Sequence, residues 1–147
     1  MGRHLAVLAK LYFSRLSHNL SRLDIDRYYS VLIFVDKSSG TVTQQDIGDY
    51  LEIDKATMVR VIDGFVEKDY LKRNPDPNDR RCHNISLTGK GKSVIPVIQQ
   101  AIDELEKGLL EDISEADQRI FRNVICRITG KLKNASGINQ TVNKSGR

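Results

Sequence analysis

The sequence predicts a mainly α-helical protein with a single short β-hairpin. Apolar residues recur every three or four positions through most of the 147 residues, which is the spacing of amphipathic helices. Near the middle of the chain, two helical segments are joined by a tight turn. A cluster of Asn, Asp and Pro then separates two short alternating stretches, and this pattern places a hairpin directly after the helix pair.

Two helices are predicted before this central region. The first covers residues 5–23, where the apolar positions at helical spacing are Leu5, Leu8, Tyr12, Leu16, Leu20 and Leu23. The second covers residues 26–37 and ends at Ser38, Ser39 and Gly40, because small and turn-forming residues stop helices. Each helix is expected to turn one apolar face toward a core.

Two shorter helices follow, over residues 43–51 and 54–68. Thr43 paired with Asp46 is the expected N-cap of the first, and Asp54 caps the second. One stripe of the second helix is apolar and faces a core; it consists of Met58, Val61, Ile62 and Phe65. The opposite face offers a cation, a hydroxyl and small apolar groups, which suit phosphates, base edges and thymine methyls; it carries Lys55, Ala56, Thr57, Val59, Arg60 and Asp63.

The hairpin is expected to have strands over residues 70–73 and 84–87. Asp69 stands between the preceding helix and the first strand, where a chain often needs a left-handed residue. Pro75 and Pro77 are expected to interrupt the ladder of hydrogen bonds, so that the tip of the hairpin projects.

The tip carries two arginines, Arg80 and Arg81, beside the carboxylates of Asp76 and Asp79. An arginine on a projecting hairpin can enter a narrow minor groove, and a neighbouring carboxylate can fix its rotamer beforehand. Helix, turn, helix and hairpin, in this order, predict a winged helix-turn-helix lobe that binds DNA.

Two long helices are predicted after the hairpin. Thr88 caps one over residues 90–110, in which Pro96 predicts a kink or a late start. Ser114 begins the other, over residues 115–133, with the apolar run Ile120, Phe121, Val124, Ile125, Ile128 and Leu132. Cys126 lies within this run and is expected in a core. Residues 134–147 have little apolar content and are predicted to form a flexible tail.

The length of the chain favours one domain over residues 1–133, with the winged lobe at residues 25–92. The flanking helices, at residues 3–23 and 90–133, carry more apolar surface than a small winged lobe can cover. Pairing with a second copy would bury it, so a twofold homodimer is predicted, with its two recognition helices about one DNA turn, roughly 34 Å, apart. A monomeric helical bundle is the alternative.

Charge is segregated along the chain. The net charge is +4, but residues 72–92 hold six Lys or Arg against two Asp, whereas residues 103–117 hold seven acids against one Lys. A basic segment of this kind favours double-stranded DNA as a partner, with salt-sensitive binding. No apolar run approaches the roughly 20 residues of a membrane span, and the two cysteines lie far apart, so a soluble cytoplasmic protein with free thiols and no membrane partner is expected.

The central motifs resemble the MarR (multiple antibiotic resistance regulator) family of bacterial transcription factors over about residues 25–92. They are Thr43-x-x-Asp46-Ile47-Gly48-x-x-Leu51-x-Ile53-Asp54-Lys55-Ala56-Thr57, Arg60-Val61-Ile62-Asp63, Glu67-Lys68-Asp69-Tyr70-Leu71-Lys72-Arg73, Asp76-Pro77-x-Asp79-Arg80-Arg81 and Leu87-Thr88-x-x-Gly91. The resemblance implies a helical dimer with a winged helix-turn-helix in each subunit, bound to pseudo-palindromic promoter DNA. Two residues depart from the family pattern: Asp69 replaces the usual glycine, and Gly64 replaces a larger, often charged residue.

The same resemblance assigns roles to individual residues. Arg81 matches the wing-tip arginine that enters the minor groove, Asp79 its orienting aspartate, and Arg60 a base or phosphate contact of the recognition helix. The predicted DNA-binding residues are Thr43, Lys55, Ala56, Thr57, Val59, Arg60, Asp79, Arg80 and Arg81.

The resemblance also implies a repressor that a small, often aromatic ligand releases from DNA. Members of the family bind such ligands between the dimer helices and the DNA-binding lobe. The polar aromatic residues that could line this cleft are Tyr12, His18, Tyr28 and Tyr29. Ordinary packing in the core or an interface is the alternative for each.

The sequence gives less support to functions other than gene regulation. The sequence contains no catalytic set, cofactor loop or local pair of metal ligands, so no enzyme activity, cofactor or metal is expected. One alternative is a winged-helix module that binds an acidic protein instead of DNA. Another alternative is a thiol-responsive regulator acting through Cys82, whose neighbour Arg81 would favour the thiolate. An unreactive thiol in the strand is the simpler interpretation of Cys82.

Overall fold

Six α-helices and one antiparallel pair of strands follow one another along residues 1–25, 27–38, 41–75 and 83–135, the parts of the chain that this computed structural model describes. The elements are α1 (Gly2–Asn19), α2 (Tyr29–Lys37), α3 (Gln44–Leu51), α4 (Lys55–Glu67), β1 (Leu71–Pro75), β2 (His83–Leu87), α5 (Gly89–Leu110) and α6 (Glu115–Ala135), with a 3-10 helix (Ser21–Leu23) after α1. The mainly α fold with a two-stranded wing is therefore confirmed.

The chain divides into two compact units, Met1–Leu105 and Glu106–Arg147. The first contains α1 to α4, the strand pair and most of α5. The second contains α6 and the end of α5. Among the described residues no helix is both long and apolar enough to cross a membrane.

Several predicted helix boundaries differ from the observed ones. The first helix stops at Asn19 instead of residue 23, because the chain tightens into the 3-10 helix and then turns through a left-handed Asp24 with φ 49°. The second begins at Tyr29, three residues later than predicted. The late start suggested by Pro96 is wrong: α5 runs without interruption from Gly89 to Leu110. Residues on both sides of the proline, Val94 and Ile98, are buried and hold this stretch to the core.

The helix-turn-helix follows the predicted capping chemistry. Thr43 Oγ1 accepts the Asp46 N–H at 3.2 Å while Asp46 Oδ2 accepts the Thr43 N–H at 2.8 Å, so the capping box of α3 is complete. A left-handed Glu52, with φ 55°, then turns the chain back toward α4. Gly48 permits this tight turn, because a Cβ there would lie 3.2 Å from the Ile53 carbonyl oxygen.

The strand pair is longer than the sequence indicated. β1 and β2 are in register from Leu71 opposite Leu87 to Pro75 opposite His83. Pro75 therefore belongs to the ladder, contrary to the expectation that it would interrupt pairing. It is the last residue of a strand in a two-stranded sheet, where the missing N–H costs little. Pro77 and the rest of the hairpin tip, residues 76–82, lie outside the described residues.

A short contact joins the helix-turn-helix to the strands. The Ile85 N–H donates to the Val42 carbonyl at 2.7 Å, and Thr43 forms an isolated antiparallel bridge with Asn84. The residue that caps α3 is therefore docked on β2. Because of this contact, α3 and the base of the wing are held at a fixed distance.

The first unit is built around one apolar core. Its most deeply buried large side chains are Leu16, Leu20, Leu32, Ile47, Met58, Ile62, Leu71 and Ile98. They come from α1 and its C-cap, α2, α3, α4, β1 and α5, and β2 adds the buried Ile85 and Leu87. Every element of the helix-turn-helix and wing thus contributes to the same core.

The two terminal helices expose apolar side chains. In α1 the exposed residues include Leu5, Val7, Leu8, Leu11 and Phe13. In the second unit α6 has no buried residue, and Ile120, Phe121, Val124 and Leu132 are 46 to 64% exposed. The expectation that Cys126 lies in a core is wrong, because its side chain is exposed on this uncovered helix.

Candidate nucleic-acid interface

Helix α4 turns one face to the core and the other to solvent. Met58, Ile62 and Phe65 are buried on the inner face. The residues predicted to contact DNA lie on the outer face: Lys55, Ala56, Val59 and Arg60 are exposed, and Thr57 is half-buried. The helical period has thus separated the core residues of α4 from the candidate contacts, as the sequence predicts.

The first turn of α4 is organised by Asp54. Its Oδ1 accepts the Thr57 N–H at 2.9 Å, which satisfies one of the free N–H groups at the helix start. This backbone bond, followed by a hydrogen bond with the Thr57 side chain, lowers the pKa of Asp54 below its ordinary value of 3.8. Thr57 Oγ1 in turn accepts a hydrogen bond from Arg60 Nη2 at 3.3 Å. A chain of polar contacts therefore runs from the N-cap to the guanidinium.

We predict that Asp54→Ala lowers the stability of the protein at neutral pH, because the cap of α4 is lost, whereas Asp54→Asn retains most of it. Since folding lowers the pKa of Asp54, its contribution is present above about pH 3.8 and is lost as the pH falls through the lower folded value. The thermal unfolding midpoints of wild type and Asp54→Ala should therefore differ most near neutral pH and converge in acid. A constant difference down to pH 2 would contradict this role.

The base of the wing is tied to the outer side of α4. Arg73 Nη1 on β1 lies 2.6 Å from Asp63 Oδ1, and both side chains are partly exposed. Across the strand pair, Asn74 Nδ2 donates to Ser86 Oγ at 2.8 Å. These contacts set the direction in which β1 leaves α4, and therefore where the hairpin begins.

A depression of about 330 Å³ lies beside Arg60. Its wall is formed by the outer side of α4 and by the residues that precede α2, including Arg27, Tyr28, Thr57, Arg60, Gly64 and Lys68. Three of these side chains are cationic. Lys68 Nζ is held 3.1 Å from Asp24 Oδ2 and donates to the Asp24 carbonyl at 2.9 Å, so its charge is partly balanced.

The structure groups some predicted DNA contacts and separates others. Thr57 and Arg60 share the depression, and Lys55, Ala56 and Val59 lie on the same helix. Thr43 is the N-cap of α3, and its hydroxyl is already bonded to Asp46. Asp79, Arg80 and Arg81 lie outside the described residues, as does Cys82.

The four aromatic residues proposed for a ligand are not in equivalent surroundings. Tyr28 lines the depression, whereas Tyr29 is buried in the core of the first unit. Tyr12 packs edge to face against Phe13, with ring centroids 5.6 Å apart, and His18 is exposed. Their role in ligand binding stays a prediction.

Sequence reasoning did not identify two cations at this site, Arg27 and Lys68. Lys68 had a usable signal, since Arg60, Gly64 and Lys68 are spaced by four residues and therefore lie along one helix face. Arg27 had none, because it comes from a different part of the chain and reaches the site only through the fold.

The part of the chain that contains the candidate interface is similar to known proteins. The model described as "MarR family" matches residues 18–81. A MarR transcriptional regulator from Methanosarcina mazei Go1 is 24% identical, with a TM-score of 0.81 over 94% of this chain and 97% of that one.

Two similar structures contain DNA. A cysteine-to-serine mutant of MarR from E. coli complexed with operator DNA is 22% identical, with a TM-score of 0.79 over 86% of this chain and 91% of that one. The transcriptional repressor CouR, bound to a 23-mer DNA duplex, is 21% identical, with a TM-score of 0.81 over 88% and 92% of the two chains. At these identities the likeness establishes the fold.

Proposed function

We propose that this chain is a member of the MarR family and acts as a dimeric, sequence-specific DNA-binding regulator of transcription. The family model that matches residues 18–81 and the similar fold of a MarR transcriptional regulator support this proposal. We further propose that it represses promoters with pseudo-palindromic operators and that a small aromatic ligand relieves repression. Two proteins of the same fold are bound to DNA in their structures, one of them to operator DNA.

The observation that carries the proposal is the outward placement of Arg60. It lies on the solvent face of α4, opposite the buried Met58 and Ile62, and its Nη2 bonds to Thr57. A guanidinium held in this way can present paired N–H groups to guanine O6 and N7 in the major groove or to a phosphate. Lys55, Ala56 and Val59, beside it on the same exposed side, would supply phosphate and thymine-methyl contacts.

The wing would supply the second contact. Its base is tied to α4 by Arg73 and Asp63 and to α3 by the bridge between Thr43 and Asn84. On this scaffold we propose that Arg81, oriented by Asp79 and assisted by Arg80, enters the minor groove. Thr43, at the start of α3, would lie toward the DNA backbone.

A second copy is proposed to cover the exposed apolar residues of the terminal helices. Those of α1 and α6 face water in a single chain. Burying apolar surface is the main favourable contribution to subunit association, and a twofold pair would present two α4 helices to successive turns of DNA.

The proposed effector would act by favouring one spacing of the two α4 helices over another. A ligand changes such an equilibrium only through unequal affinity for the two arrangements, typically a coupling of about 1 to 3 kcal/mol. Tyr12, His18, Tyr28 and Tyr29 remain the proposed contacts. Crystals soaked with aromatic carboxylates and phenols would test them directly.

A binding experiment over a salt series tests the central proposal. DNA from upstream of the protein's own gene should be retained in a gel shift in preference to random DNA, and binding should weaken steeply as salt rises. Equal retention of both DNAs would contradict sequence specificity. No retention at low salt would instead support the alternative of a module that binds an acidic protein.

We predict that Arg60→Ala lowers the ratio of specific to nonspecific affinity about tenfold, since one bidentate base contact is worth about 1 to 3 kcal/mol of discrimination. The variant should keep the circular dichroism and thermal unfolding of wild type, because the residue is exposed. Quantitative footprinting on matched and scrambled operators measures the ratio. An unchanged ratio would remove Arg60 from the base-reading set.

A further inference from the structure

The depression beside Arg60 has a shape that follows from a glycine. A Cβ built at Gly64 would meet no atom within 4 Å. Arg60 and Lys68 lie one helical turn before and after Gly64, so the missing side chain leaves an open space between two cations on one face of α4. Arg27 and Tyr28, which precede α2, also line this space.

Arg27 closes the depression on the side opposite α4. Its Nη2 donates to the Tyr28 hydroxyl at 2.9 Å, and its guanidinium carbon lies 5.0 Å from the centroid of the Tyr28 ring. A guanidinium has five N–H donors, so others remain for a further acceptor. Stacking on Tyr28 also reduces the conformational entropy that the Arg27 side chain would lose on binding. The N–H donors of Arg27 are therefore preorganised for an acceptor.

The charges around the depression are not equal. Lys68 is paired with Asp24, so its net contribution is reduced. Arg27 and Arg60 donate hydrogen bonds to the neutral hydroxyls of Tyr28 and Thr57, which do not balance their positive charges. The carboxylate of Asp54 balances the charge of Arg60 in part. Both arginines are exposed and accessible to a large partner.

We propose that this depression seats one backbone phosphate of the bound DNA, held between Arg27 and Arg60, with Tyr28 as the positioning residue of Arg27. The inference rests on the proposed function and adds a contact from outside the helix-turn-helix and the wing. A phosphodiester fits because its two unesterified oxygens can each accept from a guanidinium. Arg60 can serve this seat and a base edge together, because its guanidinium has five N–H donors: Nε can bond to the phosphate while the Nη groups face the major groove. A DNA strand that contacts the outer face of α4 therefore also reaches the depression.

A free oxyanion has the same binding chemistry, but the surroundings favour DNA. Sites for small ligands are mostly apolar and bury most of the ligand. Here exposed cations flank the space, an arrangement that suits a strand passing across the surface. The position left open at Gly64 would then receive a phosphate oxygen where a side chain would otherwise stand.

The test is the salt dependence of DNA binding by Arg27→Ala. Removing one phosphate contact should lower the slope of log affinity against log salt by about one and weaken matched and random DNA by similar factors. Arg119→Ala, which removes an equal charge from an exposed position on α6, is the control for net charge and should keep the wild-type slope. Tyr28→Phe, which retains the ring, should fall between wild type and Arg27→Ala.

A second variant tests the seat without changing charge. Gly64→Leu places a neutral side chain in the open space and favours the helix, so it should reduce the salt slope by the same amount as Arg27→Ala while the protein stays folded. Combining the two substitutions should add little to either alone, because both remove the same phosphate contact. A full additional loss in the double variant would contradict a shared seat.

The outcomes separate this inference from the broader proposal. If wild type binds no DNA, the proposed function fails and the seat fails with it. If wild type binds its operator but Arg27→Ala and Gly64→Leu retain its slope, only the seat is overturned. If Arg27→Ala loses binding of inorganic phosphate, measured by chemical-shift titration, while its DNA slope is unchanged, the depression is a site for a free anion and the DNA seat is overturned.

Discussion

Gly91→Ala is expected to destabilise the first unit by about 3 kcal/mol, the upper end of the usual penalty for overpacking. A Cβ at this position would lie 2.1 Å from the Tyr70 carbonyl oxygen and 3.0 Å from Leu87 Cδ2. The nearer neighbour is backbone, which cannot rotate away as a side chain does. The first turn of α5 would have to separate from the start of β1.

This close approach has a structural purpose. The Thr88 N–H donates to the same Tyr70 carbonyl at 3.1 Å, and Thr88 Oγ1 accepts the Gly91 N–H at 3.0 Å. Thr88 therefore caps α5 and fastens it to the chain just before β1. Glycine at position 91 allows the backbone of α5 to pack directly against the Tyr70 carbonyl. The residues of the motif Leu87-Thr88-x-x-Gly91 therefore act together to join α5 to the chain before β1.

Gly108→Ala is the matched control for this substitution. It lies in the same helix, and a Cβ there would meet nothing within 4 Å. It should therefore leave stability unchanged or raise it by up to about 1 kcal/mol through helix propensity. Urea unfolding followed by circular dichroism measures both variants. Equal midpoints for Gly91→Ala and Gly108→Ala would show that the junction relaxes without cost.

Features that depend on near neighbours in sequence could be predicted in detail. The caps at Thr43, Asp54, Thr88 and Ser114 all form with groups three residues further on. The inward stripe of α4 follows from the helical period alone. For the same reason the outward position of Arg60 was available from the sequence.

Features that depend on distant parts of the chain could not be predicted in this way. Nothing in the local pattern indicates that Val42 pairs with Ile85 or that Arg73 reaches Asp63. Arg27 is a clear case, since its place in the site depends on how the turn before α2 packs against α4. Burial in α6 was misjudged at Cys126 because an apolar stripe indicates that a face will be covered but not what covers it.

Asp69, which has a left-handed φ of 59°, combines a feature set by near neighbours in sequence with one set by a distant residue. The sequence indicated a left-handed residue between α4 and β1, and the structure confirms it. What the sequence does not supply is the neighbouring hydrogen bond, in which Thr88 Oγ1 donates to the Asp69 carbonyl at 2.5 Å. The turn that follows α4 is thereby bonded to the residue that caps α5.

Tyr70 is the centre of the junction next to Asp69, and Tyr70→Ala is expected to cost about 3 to 5 kcal/mol, the range for removing a buried aromatic ring. The ring packs edge to face with Phe65 at 6.2 Å between centroids, and Lys90 Nζ lies 4.4 Å from its centre. The hydroxyl donates to the Leu23 carbonyl. One residue therefore joins the 3-10 helix, α4 and α5.

Tyr70→Phe separates the hydroxyl from the ring, and it should cost about 1 to 2 kcal/mol because the Leu23 carbonyl loses its donor. Burial, and secondarily the negative charge of Asp24, raises the pKa of Tyr70 above its ordinary value of 10.0. The folded state thus favours the protonated phenol, so this part of the stability is present below about pH 10 and is lost as the pH rises through the higher folded value. The free energies of unfolding of wild type and Tyr70→Phe, measured by denaturant titration, should differ by a constant amount near neutral pH and converge in alkali. A difference that stays constant to pH 12 would show that the Tyr70 hydroxyl is not the source of this stability.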